Sequence, residues 1–254
     1  MCRQCDGSSI TRRAFAAGLM GAALSASDTQ AATGLVEPRL HLRSREAAYP
    51  TIALTLDACS GHTDHAVLEL LIARQIPTTV FLTAAWMARN EPALARLKAH
   101  PHLFAIGNHG GRHLACVWGQ SAPFGVRAAG SPQAVLEEVR TGEQAITAYF
   151  GSKPRWFRGA TAFYTPSAVS LIAAEGYAVA GYSLNGDAGA TLSASAVMRR
   201  LEQAQDGDVI LAHLNHPERP CGKGLVEGLE ALIARKMRFA LLDPDWQATR
   251  STQL

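Results

Sequence analysis

Short apolar runs alternate with segments of helical apolar spacing along most of this chain. Apolar and β-branched residues that follow one another over about four to eight positions are typical of buried strands. Apolar residues three or four positions apart favour one face of a helix. Strands are predicted over 51–56, 76–83, 103–106, 154–158, 177–184, 209–213 and 239–242, and helices over 65–74, 84–100, 132–150, 165–175, 193–205 and 224–236.

The repeated alternation of strand and helix predicts a parallel sheet that closes, or nearly closes, into a barrel of about seven strands. The chain has 254 residues, a length that suits one large domain and is common among α/β barrels. We therefore expect an α/β fold with one domain over 51–246. A linker or arm over 32–50 precedes this domain, and a tail over 247–254 follows it.

The first residues, 1–31, have the layout of an export signal. Arg12 and Arg13 precede a short, mildly apolar segment over 16–24, and small residues follow it, with Ala31 as the expected cleavage position. The segment is too short to span a bilayer. An arginine pair followed by Phe15 resembles a twin-arginine signal. We expect a periplasmic or secreted protein without stable membrane insertion after signal removal; the alternative is an amphipathic helix at a cytosolic N-terminus.

The composition and charge of the chain limit the classes of binding partner that can be predicted. Hydrophobic residues make up 48% of the chain and charged residues 18%, which indicates an ordinary globular protein with a sizeable core. The net charge of +3 is small and scattered. Neither a run of basic residues nor an aromatic–basic alternation is present, so nucleic acid is excluded as a predicted partner.

Several residues able to do acid–base or metal chemistry fall at or just after predicted strand ends. In a parallel barrel the chemistry lies at the carboxyl ends of the strands. His109 and His113 are four positions apart across two glycines, which permit a turn tight enough for both imidazoles to bind one ion. The residues that converge in this way are Asp57, His109, Arg158, Asp187 and His213.

Two histidines and a carboxylate with open positions are the donors of a hydrolytic, zinc-type site. Arg158 could hold a carboxylate in its ionised form, and Asp187 could orient a protonated His213. Each residue also has a purely structural interpretation. Arg158 could form a structural ion pair, Asp187 could belong to a turn, and His213 could be a buried strand histidine.

The ordered set resembles a known family, the polysaccharide deacetylases of carbohydrate esterase family 4, also called NodB-like deacetylases. The resemblance covers roughly residues 50–243 and implies that the predicted barrel is distorted. The segments similar to the family's motifs are Thr55-Leu56-Asp57-Ala58-Cys59, His109 to His113 with Asn108 ahead of it, Phe157-Arg158 and Leu211-Ala212-His213.

The resemblance implies a role for each matching residue and a divalent metal ion, zinc before others, as the cofactor. The implied roles are Asp57 as general base, Arg158 as its partner, His109 and His113 as metal ligands, His213 as general acid and Asp187 as the aspartate that tunes it.

One of the metal ligands that the family resemblance implies is missing from this sequence. The family's second aspartate, a metal ligand, is Ala58 here, and the tryptophan expected after Asp187 is also absent. Three alternatives remain: Asp57 binds the ion beside the two histidines, another group completes the shell, or metal binding has been lost. The groups considered for the shell are Cys59, His62, Asp64, His65 and water, of which His62 and His65 are better explained as surface residues that begin a helix.

The cysteines leave a further choice open. Cys2 and Cys5 fall in the predicted signal and would leave with it. The remaining three are Cys59, Cys116 and Cys221, an odd number for an oxidising compartment. A disulfide between Cys59 and Cys116 is one alternative, and a thiolate metal ligand is another.

These residues predict a metal-dependent hydrolase that removes acetyl groups, N-acetyl before O-acetyl, from a hexosamine-containing polysaccharide. A backbone N–H after Arg158 would stabilise the oxyanion. The loops over 115–131 and 215–224 would shape the substrate groove. The first alternative function is hydrolysis of non-glycan C–N amide bonds on the same fold. The second is a non-catalytic glycan-binding module, which Ala58 favours and the retained acid–base set disfavours.

Overall fold

The structure is a computed structural model that describes residues 34–43 and 49–243. The predicted export signal over 1–31 and the predicted tail over 247–254 lie outside the described residues, as does part of the predicted arm. Among the described residues, no helix is both long enough and apolar enough to cross a membrane.

A parallel sheet forms the centre of the domain. Its strand order is β5-β4-β3-β2-β1-β7-β6, and β8 pairs with the start of β1. The strands described are β1 (Thr51–Ala58), β2 (Thr78–Leu82), β3 (Phe104–Asn108), β4 (Trp156–Phe157), β5 (Ala178–Val179), β6 (Leu184–Asn185), β7 (Val209–His213) and β8 (Arg238–Phe239). The sheet curls with helices between its strands, which confirms the predicted distorted (β/α) barrel.

Helices alternate with these strands, and several begin at polar caps. Asp64 accepts hydrogen bonds from two amides of α1, and the Ser131 and Ser193 hydroxyls accept one each from α4 and α6, which satisfies N–H groups that a helix start leaves unpaired. The helices described are α1 (His65–Ala73), α2 (Ala84–Met87), α3 (Glu91–Ala99), α4 (Pro132–Phe150), α5 (Pro166–Ala174), α6 (Ala194–Leu201) and α7 (Cys221–Ala234).

The two faces of β1 have different surroundings. Leu54, Leu56 and Ala58 are fully buried in the hydrophobic cluster that the helices complete. Burial of one leucine side chain contributes about 1.5–3 kcal/mol, so this face anchors the strand. Side chains alternate along a strand, so Thr55 and Asp57 face the other side, toward the barrel interior. The same alternation places position 59, just beyond the strand, on the interior side.

The prediction of one strand over 177–184 is wrong, because the segment forms two short strands on different parts of the sheet. β5 pairs with β4, whereas β6 pairs with β7. Between them, Ala180 N donates to Phe157 O and Ser183 N donates to Val209 O, so the chain crosses from one sheet edge to the other within a few residues. Gly181 passes so close to the N-terminal arm that an added Cβ would lie 2.1 Å from the Pro38 carbonyl oxygen.

The prediction of one helix over 84–100 is also wrong, since α2 and α3 are separate helices. Asn90 lies between them and is buried. Its Oδ1 accepts hydrogen bonds from the amide and hydroxyl of Thr63, and its Nδ2 donates to Gly61 O and Trp86 O. The Asn90 side chain thereby ties the break between the helices to the loop that follows β1.

Candidate active site

The predicted site residues converge at the carboxyl edge of the sheet. Asp57 lies in β1, His213 ends β7, and the two are register partners across this strand pair. His109 and Arg158 directly follow β3 and β4. Asp187 follows β6 by two positions. Because every one of these strands is parallel to its neighbours, the side chains meet at one end of the barrel.

Arg158 is fully buried and ties Asp57 into the barrel interior. Its Nη1 lies 2.9 Å from both Asp57 Oδ1 and Thr55 Oγ1, and its Nη2 donates to Gly181 O at 3.0 Å. The guanidinium also stacks over the Phe81 ring, 4.3 Å from its centroid. A buried guanidinium needs this many partners to offset the loss of hydration.

The charges around Asp57 keep it ionised. Burial alone would raise the pKa of this carboxyl, but the nearby His109, Arg158 and His213 outweigh burial and hold the pKa below its usual range. With Oδ1 engaged by Arg158, the other oxygen, Oδ2, lies 3.7 Å from His109 Nε2.

His213 is held by Asp187 at two points. The His213 amide donates to Asp187 Oδ2 at 2.8 Å, and His213 Nδ1 lies 2.9 Å from Asp187 Oδ1. The carboxylate therefore fixes the ring orientation and accepts a hydrogen bond from Nδ1–H, which leaves Nε2 for other partners. Burial disfavours a charged imidazole, but Asp187 and Cys59 outweigh it and raise the pKa of His213 well above its usual value.

A backbone carbonyl determines which ring nitrogen of His109 acts as a hydrogen-bond donor. Nδ1 lies 2.6 Å from Arg158 O, and since a carbonyl only accepts, Nδ1 carries the proton. Nε2 then faces Cys59 Sγ at 3.4 Å. Burial would lower the pKa of this imidazole, but Asp57 and Cys59 raise the pKa of His109 to about 9.

His113 stands on a strained, tightly held loop. Its φ of 62° is left-handed, a region that non-glycine residues rarely occupy. The buried Glu138 of α4 accepts hydrogen bonds through Oε1 from Arg112 N at 2.8 Å and from Leu114 N at 3.0 Å. These amides flank His113, so Glu138 fixes the backbone that presents the second histidine. Gly110 is required here, since an added Cβ would lie 2.7 Å from Glu138 Oε1.

Three donor atoms come together at the centre of the site. The ligand atoms of Cys59, His109 and His113 all lie within 4.8 Å of one another. One thiol and two imidazoles are donors that suit a thiophilic divalent ion such as zinc. Burial would raise the pKa of the Cys59 thiol, but His109 and His213 hold it well below its usual range, toward the thiolate that metals bind.

The family resemblance has its gap at Ala58, a residue with no donor side chain that packs in the hydrophobic cluster. Ala58 faces the helix layer, whereas Cys59 reaches the interior. The alternation Thr55, Asp57, Cys59 was the signal that could have singled out this thiol. Glu138 carried no such signal, because its contact with the histidine loop joins distant parts of the chain.

The other groups considered for the metal shell lie elsewhere. Asp64 caps α1, while His62 and His65 are exposed. Asp57 is close to the cluster but is bonded to Arg158. Cys59, Cys116 and Cys221 are each free thiols in the structure, so the alternative of a Cys59–Cys116 disulfide is not what it shows.

Comparisons with known proteins identify the family and the fold. The family described as polysaccharide deacetylase matches residues 44–180. No curated protein sequence matches the chain.

Solved structures of low identity share the fold. A peptidoglycan N-acetylglucosamine deacetylase has a TM-score of 0.65 and 16% identity, with 85% of this chain and 94% of that chain covered. A family 4 carbohydrate esterase from Streptomyces lividans, in complex with acetate, has a TM-score of 0.62 and 17% identity, covering 78% and 96%. A family 4 pseudoenzyme from Bacillus anthracis has a TM-score of 0.61 and 14% identity, covering 82% and 68%.

Proposed function

Because this chain belongs to the polysaccharide deacetylase family, we propose that it removes acetyl groups from a hexosamine-containing polysaccharide with the help of a divalent ion. N-acetyl is the favoured group and zinc the favoured ion. The observation that carries the proposal is the pairing of Asp57 with His213 at neighbouring strand ends. Each has its own charged partner, and both lie beside the three-donor cluster.

The donors that would hold the ion are Cys59, His109 and His113. An ion bound there would polarise the acetyl carbonyl and lower the pKa of water. His109 is already oriented for this purpose, since its Nδ1–H is donated to a backbone carbonyl, the usual outer contact of a metal-binding histidine.

Asp57 is the proposed general base. Its lowered pKa keeps the carboxylate ionised and able to accept a proton from the attacking water. Arg158 fixes the orientation of the carboxylate and leaves Oδ2 toward the cluster.

His213 is the proposed general acid. Its raised pKa keeps the imidazole protonated, and the Nδ1 contact with Asp187 leaves the Nε2 proton for the departing amine. The oxyanion contact expected after Arg158 does not come from Gly159, whose amide donates to the Tyr164 hydroxyl at 2.8 Å. A later amide of the 160–162 turn would have to supply it.

A glycan-binding module without catalysis is the less favoured function. Buried charges cost free energy unless they are paired, and binding alone gives no reason to bury two acid–base groups with their partners. Hydrolysis of a non-glycan amide would use the same residues and the same chemistry. Only an assay with both kinds of substrate distinguishes that function from the proposed one.

The test is acetate release by the purified protein from N-acetylated chito-oligomers and peptidoglycan fragments, beside small linear and cyclic amides. We expect release from the glycans and its loss in Asp57→Ala. Turnover of the small amides alone would show that the substrate is a non-glycan amide. Tight glycan binding without any acetate release would favour the non-catalytic binding module.

Export to the periplasm or the exterior also belongs to the proposal, and it rests on the arginine pair at Arg12 and Arg13. Fractionation of cells that express the full chain tests it. We expect mature protein outside the cytoplasm, and accumulation inside when both arginines are changed to lysine. Equal export of the lysine variant would remove the twin-arginine assignment.

A further inference from the structure

We propose that Cys59 is a metal ligand that takes over the task of the missing carboxylate, so that this site selects thiophilic ions over hard oxygen-preferring ones. The inference rests on the proposed function for the presence of a metal. It goes further by stating which class of ion the Cys59 sulfur selects.

The backbone after β1 aims the Cys59 side chain at the histidines. Ala58 still pairs with Leu82 of β2. The Thr83 hydroxyl lies 2.7 Å from Cys59 O and 3.3 Å from Ala58 O, so a hydrogen bond to the backbone holds the end of the strand in place. Only 7% of Cys59 is exposed, which makes Sγ an interior donor.

The distance between the first two donors already suits one ion. Cys59 Sγ and His109 Nε2 are 3.4 Å apart. In a tetrahedral zinc site with ordinary Zn–S and Zn–N bonds, sulfur and nitrogen ligands are about 3.6 Å apart. The His109 nitrogen that faces the sulfur is Nε2, which can bind an ion once its proton is displaced, because Nδ1 is engaged by Arg158 O.

His113 supplies the third donor from a backbone that is fixed before any ion binds. The His109 and His113 ring centroids are 5.1 Å apart. Glu138 holds the amides on both sides of His113, and the carbonyls of Gly110 and Gly111 accept hydrogen bonds from the first amides of α2. Three protein ligands leave a tetrahedral ion one open position, as catalytic zinc sites require.

The Cys59 sulfur determines which class of metal ion the site prefers. Thiolate is a soft ligand that favours zinc and cobalt, whereas magnesium, calcium and manganese favour carboxylate and carbonyl oxygens. A site in which Asp57 supplied the third ligand would have lacked this preference. Asp57 is instead bonded to Arg158 through Oδ1.

A nucleophilic cysteine is the competing explanation for a thiol near imidazoles. A nucleophile needs one base and an open path for the sulfur to reach the substrate. Here two histidine ring nitrogens converge on a sulfur that is almost fully buried. This arrangement suits shared coordination better than attack on a substrate.

Cobalt substitution of the full-length protein provides the test. Cobalt bound to thiolate has a sulfur-to-metal charge-transfer band in the near ultraviolet. We expect the band in wild type and in the control Cys116→Ser, which changes another buried cysteine, and its loss in Cys59→Ser with at least tenfold weaker cobalt binding. Cys2, Cys5 and Cys221 remain in both variants, so a band from them would persist in Cys59→Ser. Persistence of the full band in Cys59→Ser would overturn the inference.

Two further measurements keep the result clear if Cys59→Ser folds poorly. In wild type, zinc should slow alkylation of Cys59 at least tenfold, and magnesium should not; Cys116 in the same digest is the internal control. Equal alkylation with and without zinc would overturn the inference. Cys59→Asp should bind manganese at least tenfold more tightly relative to zinc than wild type does, and an unchanged ratio would contradict the role of sulfur.

Failure of this inference is separable from failure of the proposed function. A charge-transfer band without acetate release from any acetylated glycan would leave the thiolate site in place and remove the deacetylase. Metal-dependent acetate release without the charge-transfer band, together with metal retained in Cys59→Ser, would support the deacetylase and remove Cys59 as a metal ligand.

Discussion

Asp57 and His213 are register partners on the neighbouring parallel strands β1 and β7, and their side chains are tied to opposite charges. Arg158 holds the carboxylate and Asp187 holds the imidazole. The pKa of Asp57 is lowered, and that of His213 is raised. At neutral pH this arrangement keeps an ionised carboxylate beside a protonated imidazole, the charge states that the proposed general base and general acid require.

Replacement of His213 by alanine should lower kcat by about 10²- to 10⁴-fold, the usual contribution of a general acid. Zinc content should stay at the wild-type level, because the donor cluster contains Cys59, His109 and His113. Steady-state kinetics and metal analysis measure both. His102→Ala is the control, since His102 is exposed and lies ahead of β3, away from the carboxyl edge. Wild-type turnover in His213→Ala would remove His213 from the mechanism.

Replacement of Asp187 by asparagine should move the alkaline limb of the kcat/KM profile to lower pH. The acid must be protonated, so activity falls as the pH rises through the pKa of His213, and the Asp187 charge is what holds that pKa up. An asparagine oxygen can still accept from the His213 amide, so the fold should survive. An alkaline limb at the same pH in both proteins would show that Asp187 does not tune the acid.

Replacement of Arg158 by methionine should lower the free energy of unfolding by about 3–5 kcal/mol, because it leaves the buried Asp57 carboxylate without its partner. Changing Asp57 to asparagine in the same protein should recover part of that loss, since the orphaned charge is then removed. Urea unfolding of both variants and wild type measures this. If the double variant is no more stable than Arg158→Met, the loss comes from the other contacts of the guanidinium.

Replacement of Glu138 by alanine should weaken zinc binding at least tenfold. It leaves the amides of the exposed Arg112 and the buried Leu114 without their acceptor, and an unsatisfied buried amide such as that of Leu114 costs about 1–3 kcal/mol. Glu138→Gln retains the accepting oxygen and should restore most of the affinity.

Glu137→Ala is the matched control for that experiment, because Glu137 is the exposed neighbour of Glu138 and contacts the Arg112 side chain at the surface. Calorimetric zinc titrations compare the variants. Wild-type affinity in Glu138→Ala would mean that the loop around His113 holds its shape without the carboxylate.

The sequence predicts which edge of the sheet carries the site, because that inference requires only the positions at which the strands end. Asp57, His109, Arg158 and His213 each end or follow an apolar run, and parallel strands bring such positions together whatever the loops do. The distorted barrel could be predicted for the same reason. The two errors of secondary structure arose where a tertiary contact overrides local pattern: the crossing at Gly181 against the arm, and the break at Asn90.

The third proposed metal donor is harder to single out from the sequence, where Cys59 is one of several candidates. Motif comparison directs attention to Ala58, where the family has its second aspartate, but side-chain alternation gives the interior position to Cys59. The loop that carries His113 could not be derived from local residues, because Glu138 reaches it from α4.

The most direct test of the account is acetate release from N-acetylated chito-oligomers by one preparation of wild-type protein, assayed after chelation and again after one equivalent of zinc is restored. We predict that chelation abolishes release, that zinc restores it, and that magnesium does not. Undiminished release by the metal-free protein, or no release when zinc is bound, would contradict the claim that this chain is a metal-assisted deacetylase.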